Sequence, residues 1–559
     1  MKPTNKIHFA IAQMNPTVGD LSGNAEKIIE WIAKADRSEA DLIVFPEAAL
    51  SGYPVWDLAN RTDFVGAGLK HLEGIVRSTR GAHVQAVVGF IDKGRSVCGR
   101  SRNALAWISG GRILAKYYKR LLPTYDVFLE DIFFEPGVEG RVIPWKGVGV
   151  GPTICEDIWD EKYPQKPVKE LRAQKAKLIV NISASPFYAG IHSVREKLLR
   201  NHASRYRMPF LYVNQVGAQD ELIFDGRSLF VDARGRVLFR APAFEEGLYH
   251  FEWDLRQDKF RALPSSKDLD PIPEIYHALV LGVRDYCRKN RFTRAVIGLS
   301  GGIDSALVAA VAADALGPAA VVGVAMPGEY SSKGSWEDAE ELARRLKIQF
   351  RVNPIREAYA FMNGIYRDQK CVNGLKACET GEVSLALENL QARLRGLNLM
   401  FISNDEGRLL LSTGNKSELA MGYCTLYGDM AGGLCVLGDV LKTDVYRLAR
   451  YRNGLGAVIP ENTFEKPPSA ELRPGQKDQD TLPPYDILDE ILKLFIEENR
   501  SAKTIRQMMR RKGVPEKVVS EILHKVDHNE YKRRQAPPIL RVTQKAWFGR
   551  RMPITNWYR

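Results

Sequence analysis

No stretch of this sequence strings together the eighteen or more apolar residues that a membrane-crossing helix needs. The opening Met1-Lys-Pro-Thr-Asn-Lys-Ile-His-Phe9 has no long apolar core of the kind a secretory leader carries, which argues against export. Cysteine is scarce and poorly arranged for structural work: seven residues, an odd number, with no C-x-x-C pair. That argues against a zinc site and a disulfide framework, and points to a reducing, cytoplasmic setting. An internal repeat and an arginine-rich low-complexity tail are also missing. The net charge of +13, partly gathered between Tyr531 and Arg559, is therefore explained by phosphate-bearing small molecules without invoking nucleic acid.

What is present is a soluble α/β pattern, too long at 559 residues for one core. A stretch with three prolines and a Ser-Ser pair, Leu263 to Pro273, has no apolar period and reads as a linker. It divides the chain into residues 1–262, the linker 263–273, and residues 274–559. In the first part strands are expected at Ile7 to Gln13, Asp41 to Phe45, Val84 to Phe90, Ile113 to Tyr118, Val148 to Ile154, Leu178 to Ile182 and Phe210 to Asn214. A helix is expected at Asn24 to Ala35. The second part opens on a helix, Ile275 to Lys289, and continues in strand–helix units of the kind that build a parallel sheet.

The densest signal is Gly298-Leu299-Ser300-Gly301-Gly302-Ile303-Asp304-Ser305. An apolar strand, Ala295 to Leu299, turns through two glycines into the helix-forming run Ala306 to Ala315. Such a turn lets backbone N–H groups approach phosphates, and the helix N-terminus adds positive partial charge. No Gly-Lys-Ser/Thr closes it, so it is not a Walker A loop. Asp304 stands in the turn as a candidate Mg²⁺ ligand. The hexapeptide Ser300 to Ser305 resembles the PP-loop of ATP pyrophosphatases, which release pyrophosphate and leave AMP on an acyl group.

In the first part three chemical groups end expected strands: Glu47 after the apolar run Asp41-Leu-Ile-Val-Phe-Pro, Lys119 after Lys116-Tyr-Tyr, and Cys155 after Val148-Gly-Val-Gly-Pro-Thr-Ile. Side chains at strand carboxyl ends can converge. A carboxylate can take a thiol's proton, and an ammonium can stabilise the oxyanion formed when the thiolate attacks a carboxamide. Gly147-Val-Gly-Val-Gly151 imitates a dinucleotide fingerprint, but the strand continuing to Cys155 leaves no helix to receive phosphates.

Together, Phe45-Pro-Glu47-Ala-Ala-Leu-Ser-Gly-Tyr-Pro, Lys119-Arg-Leu-Leu-Pro-Thr-Tyr125-Asp-Val-Phe128 and Cys155-Glu-Asp-Ile-Trp resemble the amidase branch of the nitrilase superfamily. The resemblance implies an αββα sandwich, with Glu47 as general base, Lys119 as oxyanion stabiliser, Cys155 as nucleophile and Glu130 as supporting glutamate. It also implies glutamine contacts from Tyr125 and Ser185. Ile191 stands where members often carry a lysine or arginine, so no anchor for the substrate α-carboxylate is implied.

An amidase joined to a PP-loop half resembles the glutamine-dependent NAD⁺ synthetases. The matching segments are Met326-Pro-Gly-Glu-Tyr-Ser-Ser332, Glu388-Asn389-Leu-Gln-Ala-Arg393, Leu411-Ser-Thr413-Gly-Asn-Lys-Ser-Glu418, a lid from Pro467 to Gln476, and Tyr531-Lys532-Arg-Arg-Gln-Ala-Pro-Pro538. By that resemblance Thr413 joins the loop in holding ATP, Asn389, Glu418 and Lys532 contact deamido-NAD⁺, and Asp304 and Glu418 hold Mg²⁺. The implied reaction is ATP-dependent amidation of deamido-NAD⁺ with ammonia from glutamine. The partners are small molecules and further copies of the chain in a homo-oligomer, without membrane or nucleic acid. Two alternatives stay open at this stage. One is a PP-loop enzyme acting on tRNA; the other is a nucleotide-binding protein on an inactive nitrilase scaffold.

Overall fold

The computed structural model describes residues 6–95, 99–254, 259–262, 265–372 and 384–556. Two compact units divide between Leu269 and Asp270, inside the proline-rich stretch. Leu263 and Pro264 of that stretch lie outside the described residues. Its last residues, Pro271 to Pro273, form the first turn of the helix Pro271–Lys289 rather than extended chain. Proline fits a first helical turn because the N–H it lacks would have no helical partner there.

The first unit contains β1 (Lys6–Gln13), β2 (Leu42–Val44), β3 (Gln85–Asp92), β4 (Arg102–Ser109), β5 (Arg112–Tyr118), β6 (Ile143–Trp145), β7 (Val148–Ile154), β8 (Leu178–Ser183), β9 (Phe210–Asn214), β10 (Val216–Gln219), β11 (Leu222–Asp225), β12 (Leu229–Val231), β13 (Val237–Arg240), β14 (Gly247–Asp254) and β15 (Lys259–Ala262). One sheet has the order β15-β14-β1-β2-β3-β4-β5 and the other β13-β12-β9-β8-β7-β6, with β10-β11 as a separate hairpin.

Alternation explains the layers. Phe9, Ile11, Leu42 and Val44 meet Val150, Ile154, Val180, Leu211 and Val213 between the sheets. Their neighbours Ala10, Ala12 and Ile43 face Ile28, Ile32, Leu72 and Ile75 of the helices Leu21–Arg37 and Thr62–Ser78. On the far side Ile179, Phe210 and Tyr212 pack on Leu171, Leu199 and Ala203, from the helices Pro167–Ala173 and Ile191–Tyr206. Helices on both outer faces of two stacked sheets make the αββα sandwich. Strands buried on both faces carry near-continuous apolar runs, which is why they stand out in the sequence.

In the second unit β16 (Ala295–Gly298), β17 (Val321–Ala325), β18 (Gln349–Val352), β19 (Leu409–Ser412) and β20 (Leu434–Cys435) form one sheet, ordered β18-β17-β16-β19-β20. Every pairing in it is parallel. β16 and β19 are neighbours although far apart in sequence, so the order reverses around β16. The crevice at such a reversal is where ligands bind in open α/β sheets. The helix Ile303–Leu316 leaves from there, its length from Ile303 to Ala313 buried apart from Asp304.

Candidate active sites

Glu47, Lys119 and Cys155 each follow a strand of the sandwich: β2, β5 and β7 respectively. Gly89 on β3 lets the Glu47 turn settle against the sheet. A Cβ there would come within 2.4 Å of both Pro46 O and Ala48 N. Lys119 Nζ donates to Glu47 Oε1 at 2.8 Å and to Glu130 Oε1 at 2.7 Å. Asn103 Nδ2 and the Ala184 N–H donate to the two oxygens of Glu47 at 2.7 and 2.8 Å. Tyr53 donates its phenol to Glu130 at 2.8 Å. Glu47, Lys119, Cys155 and Glu130 are all buried.

The electrostatics follow from that burial. Loss of solvation pushes the Cys155 thiol well up, the Glu47 charge adds to the effect, and Lys119 pulls the other way. At rest the thiol keeps its proton. Burial also raises Glu130, with Lys119 holding it down and Glu47 repelling it. Burial acts to lower Lys119, yet Glu130 and Glu47 outweigh it and keep the ammonium charged. One cation thus serves two carboxylates within a buried cluster.

Tyr125 and Ser185 stand near this cluster in different ways. The Tyr125 hydroxyl donates to both oxygens of Glu156, at 2.9 and 3.0 Å, and Tyr163 adds a third bond at 3.0 Å. Burial raises Glu156 to about 7. Sequence reasoning passed over Glu156, although it adjoins Cys155. Ser185 is held by its backbone N–H to Asn214 Oδ1 at 2.9 Å. Ile191 opens the helix Ile191–Tyr206 and is buried, and the cation one turn further, Arg195, is committed to Asp225 at 2.6 Å.

In the second unit Gly298, Leu299, Ser300, Gly302, Ile303, Asp304, Ser305 and Thr413 line a cleft of about 290 Å³. Gly301 has φ +76°, and a Cβ on it would sit 2.2 Å from Ser335 O, so both conformation and space require glycine. Ser300 Oγ and Ser305 Oγ lie 3.2 Å apart across the turn. Asn415 Nδ2 donates to Asp304 Oδ1 at 2.9 Å, and Asn415 Oδ1 accepts from the Glu418 N–H at 3.0 Å. This cap fixes both carboxylates, and the Asn-x-x-Glu spacing that builds it is legible in the sequence. Lys442 pairs with Asp304 and lies 3.3 Å from Glu418. Nothing local in the sequence marks Lys442.

Asn389 and Lys532 do not line this cleft. Asn389 accepts from Thr425 Oγ1 at 2.7 Å, and Lys532 donates to Gly422 O and Cys424 O at 2.7 and 2.8 Å. Both hold the turn 422–425, whose Tyr423 and Thr425 reach the cleft. The segment 467–476 lies at its mouth. Glu471 accepts from Ser332 Oγ and Ser335 Oγ at 2.9 and 2.7 Å, and Leu472 O accepts from Gln391 at 2.9 Å.

A sandwich carrying a carboxylate–lysine–thiol cluster and a parallel sheet carrying a glycine phosphate cradle define an amidase joined to a nucleotide-dependent ligase. Residues 9–257 match the carbon-nitrogen hydrolase family and residues 275–536 the NAD synthase family. The chain is 42% identical to a glutamine-dependent NAD(+) synthetase of Thermotoga maritima, over 99% of each chain. It is 43% identical to that of Synechocystis sp., over 98% of each. The solved glutamine-dependent NAD+ synthetase of Acinetobacter baumannii, in complex with ADP, superposes with a TM-score of 0.77 at 38% identity, covering 99% of both chains. This chain belongs to the glutamine-dependent NAD(+) synthetases.

Proposed function

We propose that the chain makes NAD⁺ from deamido-NAD⁺, ATP and glutamine, with nitrogen released in the sandwich and consumed in the parallel-sheet unit. The observation that carries this is the pairing, in one chain of that family, of an intact Glu47–Lys119–Cys155 cluster with a glycine cradle bearing Asp304.

In the sandwich Glu47 takes the thiol proton as Cys155 Sγ attacks the carboxamide of glutamine. Lys119 stabilises the oxyanion, and the tetrahedral adduct collapses to a γ-glutamyl thioester as ammonia leaves with that proton. Water, deprotonated by Glu47, then releases glutamate. Glu130 keeps Lys119 oriented. Glu156, held by Tyr125 and Tyr163, offers a buried carboxylate beside the nucleophile and receives the substrate α-ammonium, while the segment at Ser185 borders the substrate.

In the cleft the nicotinate carboxylate of deamido-NAD⁺ attacks the α-phosphate of ATP and pyrophosphate departs, leaving a mixed anhydride with AMP. Ammonia attacks the activated carbonyl and displaces AMP. Amides of the 300–302 turn and the Lys442 ammonium meet the charge that develops on the phosphates. Asp304 and Glu418, which both face the Lys442 ammonium, are hard oxygen donors that would hold Mg²⁺, which would neutralise phosphate charge. Thr413 borders the nucleotide, and Asn389 and Lys532 act through the 422–425 turn they hold.

Self-association is part of this reading. Phe361, Leu397 and Phe401, on the helices Arg356–Val372 and Leu385–Glu406, are 67–70% exposed, an apolar surface suited to a second copy. Free thiols at Cys155, Cys287, Cys424 and Cys435 agree with a reducing, cytoplasmic setting. The test of the function is coupled product analysis. One NAD⁺, one AMP and one pyrophosphate should form per turnover, with glutamine, ATP and deamido-NAD⁺ all required.

A further inference from the structure

Cys155 sits on a backbone that ordinary side chains avoid: φ is +42° at the first residue of a short 3₁₀ turn. A residue there stores about 1–3 kcal/mol of strain and stays put only when its surroundings hold it. The group that holds it is Asp157, two residues on, whose side chain is wholly buried. Asp157 Oδ2 accepts from the Ile154 N–H at 2.9 Å, closing the turn immediately before the nucleophile. The same oxygen accepts from the Tyr117 hydroxyl at 2.7 Å. Oδ1 accepts from the N–H groups of Arg120 and Leu121, both at 3.0 Å. Those amides directly follow Lys119, and Tyr117 lies two residues before it. One carboxylate therefore grips the nucleophile's turn through Oδ2 and the lysine's strand end through both oxygens.

We infer that Asp157 is a positioning residue for amide hydrolysis, setting the placement of the Lys119 ammonium relative to Cys155 Sγ. It touches no substrate. Its four bonds all come from neutral donors, three of them main-chain amides, so none of the charged groups of the cluster is needed to explain its burial. The oxyanion donor must lie close to where the oxygen of the tetrahedral adduct forms, and a displacement near 1 Å costs roughly 10²-fold in rate. In Asp157→Asn only one of the two positions remains an acceptor. Whichever way the amide turns, either the lysine segment or the nucleophile turn meets an N–H where it had an oxygen.

This inference rests on the amidase reading of the first unit, and the experiment separates the two. Full-length wild type, Asp157→Asn, Tyr117→Phe and Cys155→Ala are compared for glutaminase kcat and KM and for ammonium-driven NAD⁺ synthesis. The expected result for Asp157→Asn is a kcat lower by about 10²-fold, with KM for glutamine within about twofold of wild type. Ammonium-driven synthesis stays intact. Tyr117→Phe, which removes one bond of four, shows a smaller fall confined to kcat. A kcat unchanged in Asp157→Asn, or a KM that rises as far as kcat falls, overturns the inference. If Asp157→Asn does not fold, Tyr117→Phe decides, and an unchanged kcat there overturns it. Glutaminase surviving in Cys155→Ala would instead remove the reading beneath it.

Discussion

The ammonium of Lys119 donates 2.8 Å to Glu47 with both side chains sealed from solvent, at 1% and 0% exposure. Ion pairs so placed seldom repay the loss of hydration, and breaking one by removing a partner leaves an uncompensated charge. Function explains the arrangement better than stability does, on the proposal that Glu47 is the base and Lys119 the oxyanion stabiliser.

Cys155→Ala should abolish glutamine-driven synthesis and leave synthesis from ammonium salts near wild type. Glu47→Gln should behave alike, because the cluster acts as a unit. Initial rates with each nitrogen donor, measured on the same preparations, check this. Equal loss with both donors would contradict the division of labour between the units.

Lys119→Ala should go further and lower stability, since Glu47 and Glu130 would face one another without a cation. The expected cost is about 3–5 kcal/mol, less whatever one carboxylate recovers by taking up a proton. Thermal unfolding of the full chain measures it, and a melting temperature equal to that of Cys155→Ala would rule it out.

Glu156 gives a pH dependence with a definite sign. Burial raises its folded value from 4.5 to about 7, so between those limits the native state binds a proton that the unfolded chain has released. Its contribution to stability therefore falls as pH rises from 4.5 to about 7 and is level above. Binding of the glutamine α-ammonium favours the ionised form, so KM for glutamine should fall as pH rises through about 7. Glu156→Gln should flatten that profile and raise KM by roughly 10–150-fold, the worth of a charge-assisted bond. A KM profile with the same slope in wild type and variant would sink the role.

Asp304→Asn and Lys442→Ala should depress synthesis from either nitrogen donor by about 10²–10³-fold, while glutaminase measured alone stays within about twofold. Asp304→Asn should also shift the magnesium dependence to higher concentration. Full ammonium-driven activity in Lys442→Ala would show that its pairing with Asp304 and Glu418 has no part in phosphate chemistry.

Much of this is legible in the sequence. Doubly buried strands such as Val148–Ile154 and Phe210–Asn214 are short apolar runs bounded by turn residues, and they lie where the pattern puts them. Glu47 and Cys155 announce themselves as polar groups ending such runs, whereas Lys119 follows β5, which carries Lys116 and is largely exposed. β4 was missed: Arg102–Ser109 is as buried as β3 beside it, but alanine, asparagine and serine blur its apolar character. Glu156 was hidden because a second acid beside a nucleophile looks like solvated surface until Tyr125 and Tyr163 are seen on it. Lys442 reaches Asp304 across 138 residues of chain, and no local pattern encodes such a contact.

The most direct measurement follows nitrogen. Glutamine labelled with ¹⁵N in its side-chain amide, together with deamido-NAD⁺, ATP and Mg²⁺, should yield NAD⁺ whose carboxamide carries the label, with AMP and pyrophosphate in equal amount. Cys155→Ala under the same conditions should yield no labelled NAD⁺. Unlabelled NAD⁺ from the wild type, or ADP and orthophosphate in place of AMP and pyrophosphate, would contradict the account.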